Sequence, residues 1–189
     1  RSREGSLLDE SNVGHIWVRG PSIMTGYIGD IPSPISEGWL HTGDLGFMLD
    51  GRLYITGRAK DMIVLRGKNH SPVDIEESLD VVSELRTGCS VAVGTLESDG
   101  EKLLIFAEVR HAAEDTARKC QDAIRTRTGL EPDLVVLLEP GVLPRTSSGK
   151  IRRSETLRRW KTNTLVAPDR ITPWLLTGVM AKSALAFLK

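Results

Sequence analysis

Short apolar runs separated by turn residues occupy the first third of the chain. The run His15–Arg19 predicts one strand. Two further runs, Leu45–Leu49 and Arg52–Thr56, flank Asp50-Gly51. An Asp-Gly pair between apolar runs favours a β-hairpin, because both turn residues then take positive φ. Residues 28–38 are rich in Pro, Gly and Ser, and they predict a loop.

A polar connector, Gly57–Asp61, interrupts the apolar pattern before Met62–Leu65 resumes it. We place a domain boundary there. The predicted organisation is a β-rich end of a larger domain over residues 1–59 and a second domain over residues 60–165. An apolar helical tail over residues 166–189 follows.

Helical and extended patterns alternate after the connector. Ser71 can cap a helix that begins at Pro72, and Ile75, Leu79 and Val82 give this helix an apolar stripe. Further helices are predicted over about 112–127, ending before a Gly at 129, and from about residue 154. The predicted strands are 90–96, 102–110 and 134–138. This order predicts an α+β domain with helices on a small sheet.

Composition and charge narrow the function classes. Lys and Arg total 25 and Asp and Glu total 25. This balance argues against a general nucleic-acid-binding protein, which would carry a basic excess. Two cysteines without zinc-type spacing predict neither a disulfide framework nor a metal site in this chain, and they favour a cytoplasmic location. The N-terminus has no apolar signal segment and no Met, as expected for a piece of a longer protein.

Three polar features carry candidate chemistry. The loop Pro144–Lys150 is rich in Pro, Ser, Thr and Gly and ends in one cation. It differs from a phosphate-binding P-loop, because no Gly lies five residues before its Gly-Lys and no Ser or Thr follows. Asp44 follows Thr42-Gly43, and a carboxylate at a strand end can accept hydrogen bonds from ribose hydroxyls. Arg58 supplies a planar donor fork. Alone, each is also compatible with a surface turn or, for Arg58, an ion pair with Asp44 or Asp61.

The order and spacing of four motifs resemble the superfamily of acyl- and aryl-CoA synthetases, amino-acid adenylation domains and firefly luciferase. The resemblance covers Gly14 to about Arg159, which is the C-terminal portion of such enzymes. The four motifs are Gly14–Pro21 through Gly26-Tyr27, Trp39–Asp44, Gly57–Asp61 and Pro144–Lys150.

The resemblance implies a role for each motif. Asp44 and Arg58 would bind the ribose of ATP, and Lys60 would be the hinge of a small mobile C-terminal domain. Lys150 would be the catalytic residue that contacts the carboxylate oxygen and the α-phosphate during adenylation. Magnesium would neutralise the phosphates. The phosphate loop, the magnesium-site Glu motif and most of the acyl pocket would lie in the missing N-terminal domain, so this chain alone should form no acyl-AMP.

The segment around Gly67, Asn69 and His70 resembles fatty acyl-AMP ligases, which transfer a fatty acid to the thiol of an acyl carrier protein. Ser71 and Val73 depart from the pattern of that branch. The alternative is a long-chain acyl-CoA ligase that uses CoA. The segment is also compatible with a polar turn ahead of the helix. An alternative of another class is a non-catalytic carrier- or partner-binding module, but retention of Asp44, Arg58 and Lys150 argues against it.

Two segments remain near the end of the chain. A basic run could dock an acidic carrier protein, although a solvated helix face is the simpler interpretation. Its members are Arg145, Lys150, Arg152, Arg153, Arg158, Arg159 and Lys161. The apolar residues 171–188 fall short of a transmembrane segment. They predict a packed helix, with a membrane-surface anchor as the alternative.

Overall fold

The computed structural model describes residues 1–111 and 113–167. The strands are β1 (Gly14–Val18), β2 (Ile35–Ser36), β3 (Trp39–Leu49), β4 (Arg52–Arg58), β5 (Ile63–Leu65), β6 (Lys68–His70), β7 (Leu85–Glu97), β8 (Gly100–Val109) and β9 (Leu134–Leu138). The helices are α1 (Pro72–Glu77), α2 (Thr116–Thr128) and α3 (Arg153–Lys161), and 3-10 turns span Ala59–Asp61 and Ser78–Val81. This mixture of strands and helices confirms the predicted α+β class.

The first four strands form one antiparallel sheet with β3 at its centre, bordered by β1, β2 and β4. Asp50 and Gly51 join β3 to β4 with φ values of 50° and 71°, which confirms the predicted hairpin. Two details differ from the expectation. The strand β3 continues through Gly43 and Asp44, and β2 lies inside the predicted loop because Ile35 and Ser36 pair with the start of β3.

The second part contains the sheet β7-β8-β9 and the separate hairpin β5–β6. Strands β7 and β8 are antiparallel, whereas β8 and β9 are parallel and are connected through α2. Among the described residues, the strands before residue 59 and the strands after it belong to different sheets. The domain limits at 59 and 165 remain a prediction.

Strand β8 divides the core into two layers, because successive side chains of a strand point to opposite faces. Leu103, Ile105 and Ala107 pack against α1, the following 3-10 turn and α2. Leu104 and Phe106 pack on the opposite face, towards α3. The Phe106 and Trp160 rings meet edge to face with centroids 5.8 Å apart. The sheet is therefore covered by helices on both faces.

The helix boundaries differ from the predicted ones. Ser71 caps α1 by accepting a hydrogen bond from the Asp74 N–H, as expected, but α1 ends at Glu77. The Ser78 hydroxyl donates to the Ile75 carbonyl at 2.6 Å, a local bond that competes with the regular helix. Leu79 and Val82 still lie in the core, as predicted, through a 3-10 turn. Helix α2 begins at Thr116 rather than near 112 and is followed by Gly129, as predicted.

Both cysteines are free thiols and both are buried. Cys120 lies on α2 in the core, where burial, together with the charge of Glu84, raises the pKa of its thiol to about 11. A thiol that stays protonated is a poor nucleophile. This environment fits a packing role for Cys120.

The carboxylate of Glu84 receives hydrogen bonds from Lys119, from backbone and from Ser83, and they lower its pKa from 4.5 to about 2. A lowered folded-state pKa contributes stability that is present above pH 4.5 and is lost as the pH falls towards 2.

We expect Glu84→Gln to lower the melting temperature at pH 7, and the difference from the wild type to disappear towards pH 2. Measuring the melting temperatures of both proteins across this pH range tests this prediction. Glu114→Gln, a substitution at an exposed carboxylate just before α2, should not reproduce this pH dependence. A constant difference at all pH values would contradict the assignment.

Within residues 1–111 and 113–167, no helix has the length and apolar character needed to cross a membrane. The predicted tail over 171–188 lies outside the described residues.

Candidate functional site

An open cleft of about 1130 Å³ lies between the end of the β3–β4 hairpin and the second part of the chain. Asp44, Arg58, Lys60 and Lys150 all line it. These are four of the residues singled out in the sequence, and up to 106 positions separate them along the chain. The fold thus brings the predicted ribose-binding, hinge and catalytic residues to one surface.

Asp44 and Arg58 are opposite each other on β3 and β4. The Arg58 Nε–H donates to Asp44 Oδ1 at 3.0 Å. The Thr42 hydroxyl, which is anchored on the Ile16 carbonyl at 2.9 Å, accepts from the Asp44 N–H at 3.1 Å. The side chain of Asp44 is 30% exposed. A fixed carboxylate that faces solvent can accept hydrogen bonds from the hydroxyls of a sugar. A cation beside it can face a phosphate at the same time.

Lys150 is the last residue of a short hairpin, and it is hydrogen-bonded to Thr146 at the other side of the turn. The Thr146 N–H donates to the Lys150 carbonyl at 2.8 Å, and the Lys150 N–H donates to Thr146 Oγ1 at 3.1 Å. Gly149 has φ +84°, a left-handed conformation that an L side chain would strain. Arg145 pairs with Ile151 at the base of the turn. Lys150 therefore extends from a hydrogen-bonded turn within the predicted loop.

The side chain of Arg145 supports this turn from outside. One of its terminal nitrogens donates to the Gly149 carbonyl at 2.9 Å, and the other donates to Cys89 Sγ at 3.1 Å. Cys89 lies on β7, so the arginine links the Lys150 hairpin to the sheet. At the start of the hairpin, the Leu143 N–H donates to the buried carboxylate of Glu108 at 3.0 Å. Sequence reasoning assigned neither contact.

Lys60 is exposed in the 3-10 turn that follows β4. Its neighbour Asp61 has its carboxylate 3.7 Å from the guanidinium of Arg153. Arg153 also contacts Glu76 with two nitrogens, at 3.1 Å and 2.6 Å. This cluster lines the same cleft. Asp61 lies inside the Gly57–Asp61 motif and Glu76 lies in α1, but no local pattern pairs either of them with a residue so far along the chain.

Gly67, Asn69 and His70 lie on the β5–β6 hairpin rather than in the lining of the cleft. Gly67 occupies the turn, and Asn69 and His70 belong to β6, so the polar-turn interpretation of these two residues was wrong. Asn69 is exposed and His70 is half-buried. Their predicted place on the acceptor side of the site remains a prediction.

Most of the basic run is engaged within the domain. Arg158 and Arg159 both bind Glu155, and they lower its pKa to about 2. Lys161 donates to Thr95 Oγ1 at 2.7 Å. These pairs favour the solvated-face interpretation of α3 over a dedicated docking surface.

The cleft combines a carboxylate with two cations. A carboxylate such as that of Asp44 can accept hydrogen bonds from hydroxyls, and cations such as those of Arg58 and Lys150 can pair with phosphates. In the described part of the chain, no group of three or more His, Cys, Asp or Glu side chains is arranged to hold a metal ion.

Comparison with known proteins gives the family of this chain. Residues 60–169 match the family described as the Disco-interacting protein 2-like AMP domain. The chain is 36% identical over 184 residues to a 4-hydroxyphenylalkanoate adenylyltransferase of Mycobacterium marinum, covering 84% of this chain and 29% of the relative. It is 33% identical over 180 residues to a long-chain-fatty-acid–AMP ligase of Mycobacterium tuberculosis, covering 83% of this chain and 30% of the relative.

A solved structure from work on fatty acyl-adenylate ligases of E. coli and L. pneumophila superposes with a TM-score of 0.74 at 37% identity. The alignment covers 86% of this chain and 30% of that one. The chain thus spans less than a third of the length of these relatives. The resemblance found in the sequence is confirmed, and the chain belongs to the adenylate-forming superfamily, within the family described as the Disco-interacting protein 2-like AMP domain.

Proposed function

We propose that the intact protein activates a fatty acid with ATP to an acyl-adenylate and passes the acyl group to the thiol of an acyl carrier protein. The observation that carries this proposal is the convergence of Asp44, Arg58 and Lys150 on one cleft. A partner-binding module would have no need to keep a ribose acceptor and two phosphate-facing cations together. The long-chain-fatty-acid–AMP ligase relative supports a fatty acid as the substrate.

In the first half-reaction, a carboxylate oxygen of the fatty acid attacks the α-phosphorus of ATP. The new O–P bond forms as the bond to the bridging oxygen breaks, and pyrophosphate leaves. The attacking carboxylate and the α-phosphate are both negatively charged, and they must approach each other. Lys150 supplies a cation at that point, Asp44 and Arg58 hold the nucleotide, and magnesium supplies further charge neutralisation when bound.

In the second half-reaction, a thiol attacks the acyl carbon, loses its proton, and displaces AMP. Gly67, Asn69 and His70 would lie on the side of the site where this acceptor enters after rotation at Lys60. The resemblance of this hairpin to fatty acyl-AMP ligases favours a carrier-protein thiol. Free CoA is the alternative acceptor.

ATP–pyrophosphate exchange by the intact protein with a series of fatty acids tests the proposal. We expect exchange that depends on the added fatty acid. Absence of exchange with every chain length, from a protein that binds ATP, would favour the non-catalytic alternative. Comparison of CoA with a phosphopantetheinylated carrier protein as acceptor then distinguishes the two ligase branches.

The 189-residue chain alone is expected to bind ATP weakly and to form no acyl-AMP. It spans less than a third of its relatives, so most of the substrate pocket would come from other residues. Turnover by the purified chain would contradict this expectation.

A further inference from the structure

Arg153 connects the Lys150 hairpin to two distant segments of the domain. It is the first residue of α3 and lies three positions after Lys150. Its Nε and one terminal nitrogen bind the two carboxylate oxygens of Glu76 at 3.1 Å and 2.6 Å. Its other terminal nitrogen lies 3.7 Å from the carboxylate of Asp61. One guanidinium therefore joins α3 to α1 and to the residue after Lys60.

Glu76 is itself fixed to the sheet. Its Oε1 also accepts from the Ala92 N–H of β7 at 2.9 Å. Within the part of the chain that the structure describes, β7 is the end strand of the sheet β7-β8-β9, so the N–H that reaches Glu76 points away from β8. The Arg153–Glu76 pair thus lies across the edge of the sheet and links α1 on one face to α3 on the other.

The charges of this cluster favour a cation at the position of Arg153. Burial raises the pKa of Glu76, the pairing with Arg153 opposes this rise, and the charge of Asp61 adds to it. Without the arginine, two carboxylates would remain side by side in a partly buried site. A lysine would keep the charge but would lose the forked geometry that contacts both oxygens of Glu76.

We propose that Arg153 is a positioning residue that holds Lys150 in a fixed relation to Asp61, next to the hinge, and to α1. The inference rests on the function proposed above, since it assigns Arg153 a role in the adenylation half-reaction. Rotation at Lys60 would carry Lys150 with it as part of one rigid unit, because Asp61 follows Lys60 directly. The local supports of the turn, Arg145 and Glu108, hold its shape but do not reach the hinge segment.

Arg153→Lys in the intact protein tests this role, because the two half-reactions can be measured separately. We expect kcat for fatty-acid-dependent pyrophosphate exchange to fall roughly 10-fold, and up to roughly 100-fold, with KM for ATP within about twofold of the wild type, since a misplacement of about 1 Å has effects of this size. Transfer of the acyl group from supplied acyl-adenylate to the thiol acceptor should stay near the wild-type rate. A purely structural role would lower both half-reactions equally.

Arg159→Lys is the matched control. Arg159 lies on the same helix and also binds one carboxylate, Glu155, at 2.7 Å. It should leave pyrophosphate exchange unchanged. Glu76→Gln should resemble Arg153→Lys, and the double variant should lose no more than the more affected single variant, because the two residues act as one unit.

Amide hydrogen exchange separates failure of this inference from failure of the proposed function. Arg153→Lys should speed exchange at the hydrogen-bonded amides of Thr146, Gly149 and Lys150, and leave the β7–β8 ladder protected. This readout does not depend on activity. Unchanged protection of the hairpin, or equal loss in both half-reactions, would overturn the role of Arg153. Normal pyrophosphate exchange by Lys150→Ala would instead overturn the catalytic assignment and leave the mechanical link intact.

Discussion

Lys150→Ala is expected to lower kcat for fatty-acid-dependent pyrophosphate exchange by roughly 10²–10³, the effect of removing one preorganised donor from developing charge. The side chain is exposed at the end of a turn whose hydrogen bonds come from backbone groups and from the side chains of Thr146 and Arg145. Its removal should therefore leave the fold intact. The melting temperature of the variant should stay close to that of the wild type.

Two further variants make the Lys150 result specific. Lys150→Arg keeps the charge but changes its reach, and it should recover only part of the activity. Lys161→Ala removes another exposed lysine of the basic run, one that contacts Thr95, and it should leave exchange near normal. Near-normal exchange by Lys150→Ala would refute the assignment of Lys150 as the catalytic residue.

Asp44→Asn is expected to raise KM for ATP roughly 10- to 100-fold, because a hydrogen bond to a charged group contributes about 1.5–3 kcal/mol. The substitution keeps the shape of the side chain and removes the negative charge to which the ribose hydroxyls and Arg58 would both bind. The Asp44–Arg58 pair is half exposed on its arginine side, so its loss should change stability little. Steady-state exchange at varied ATP concentration gives the measurement.

Asp50→Asn is the control for Asp44→Asn. Asp50 lies on the same β3–β4 hairpin, at its far end, with φ 50°, a conformation that Asn tolerates well. It should leave KM for ATP unchanged. An equal rise in KM in both variants would mean that the effect comes from the hairpin as a whole rather than from the carboxylate of Asp44.

The elements predicted best from the sequence were those that depend on local chemistry. The turn at Asp50-Gly51, the start of α1 at Ser71 and Pro72, and the end of α2 before Gly129 are each specified by two or three neighbouring residues. Elements that depend on partners were predicted less well. Strand β2 is two residues long and pairs with β3, and α1 ends at Glu77, next to the side-chain hydrogen bond of Ser78.

The same distinction applies to the candidate site. Asp44, Arg58, Lys60 and Lys150 were found because each lies in a recognisable motif, and the structure brings them to one cleft. Arg153 was seen only as one member of a basic run. Its contact partner Glu76 is 77 residues away in the sequence, and no periodicity or turn pattern predicts a contact over such a separation.

The carboxylate of Glu76 has a consequence for how copies of this protein behave towards one another. Strand β7 is long and ends the sheet within the described residues, and an uncovered end strand is a template onto which a strand of a second molecule can add. Glu76 occupies the outward Ala92 N–H, and Arg153 binds the same carboxylate. The contact that we propose for positioning the Lys150 hairpin therefore also occupies one backbone donor through which this edge could pair with another strand.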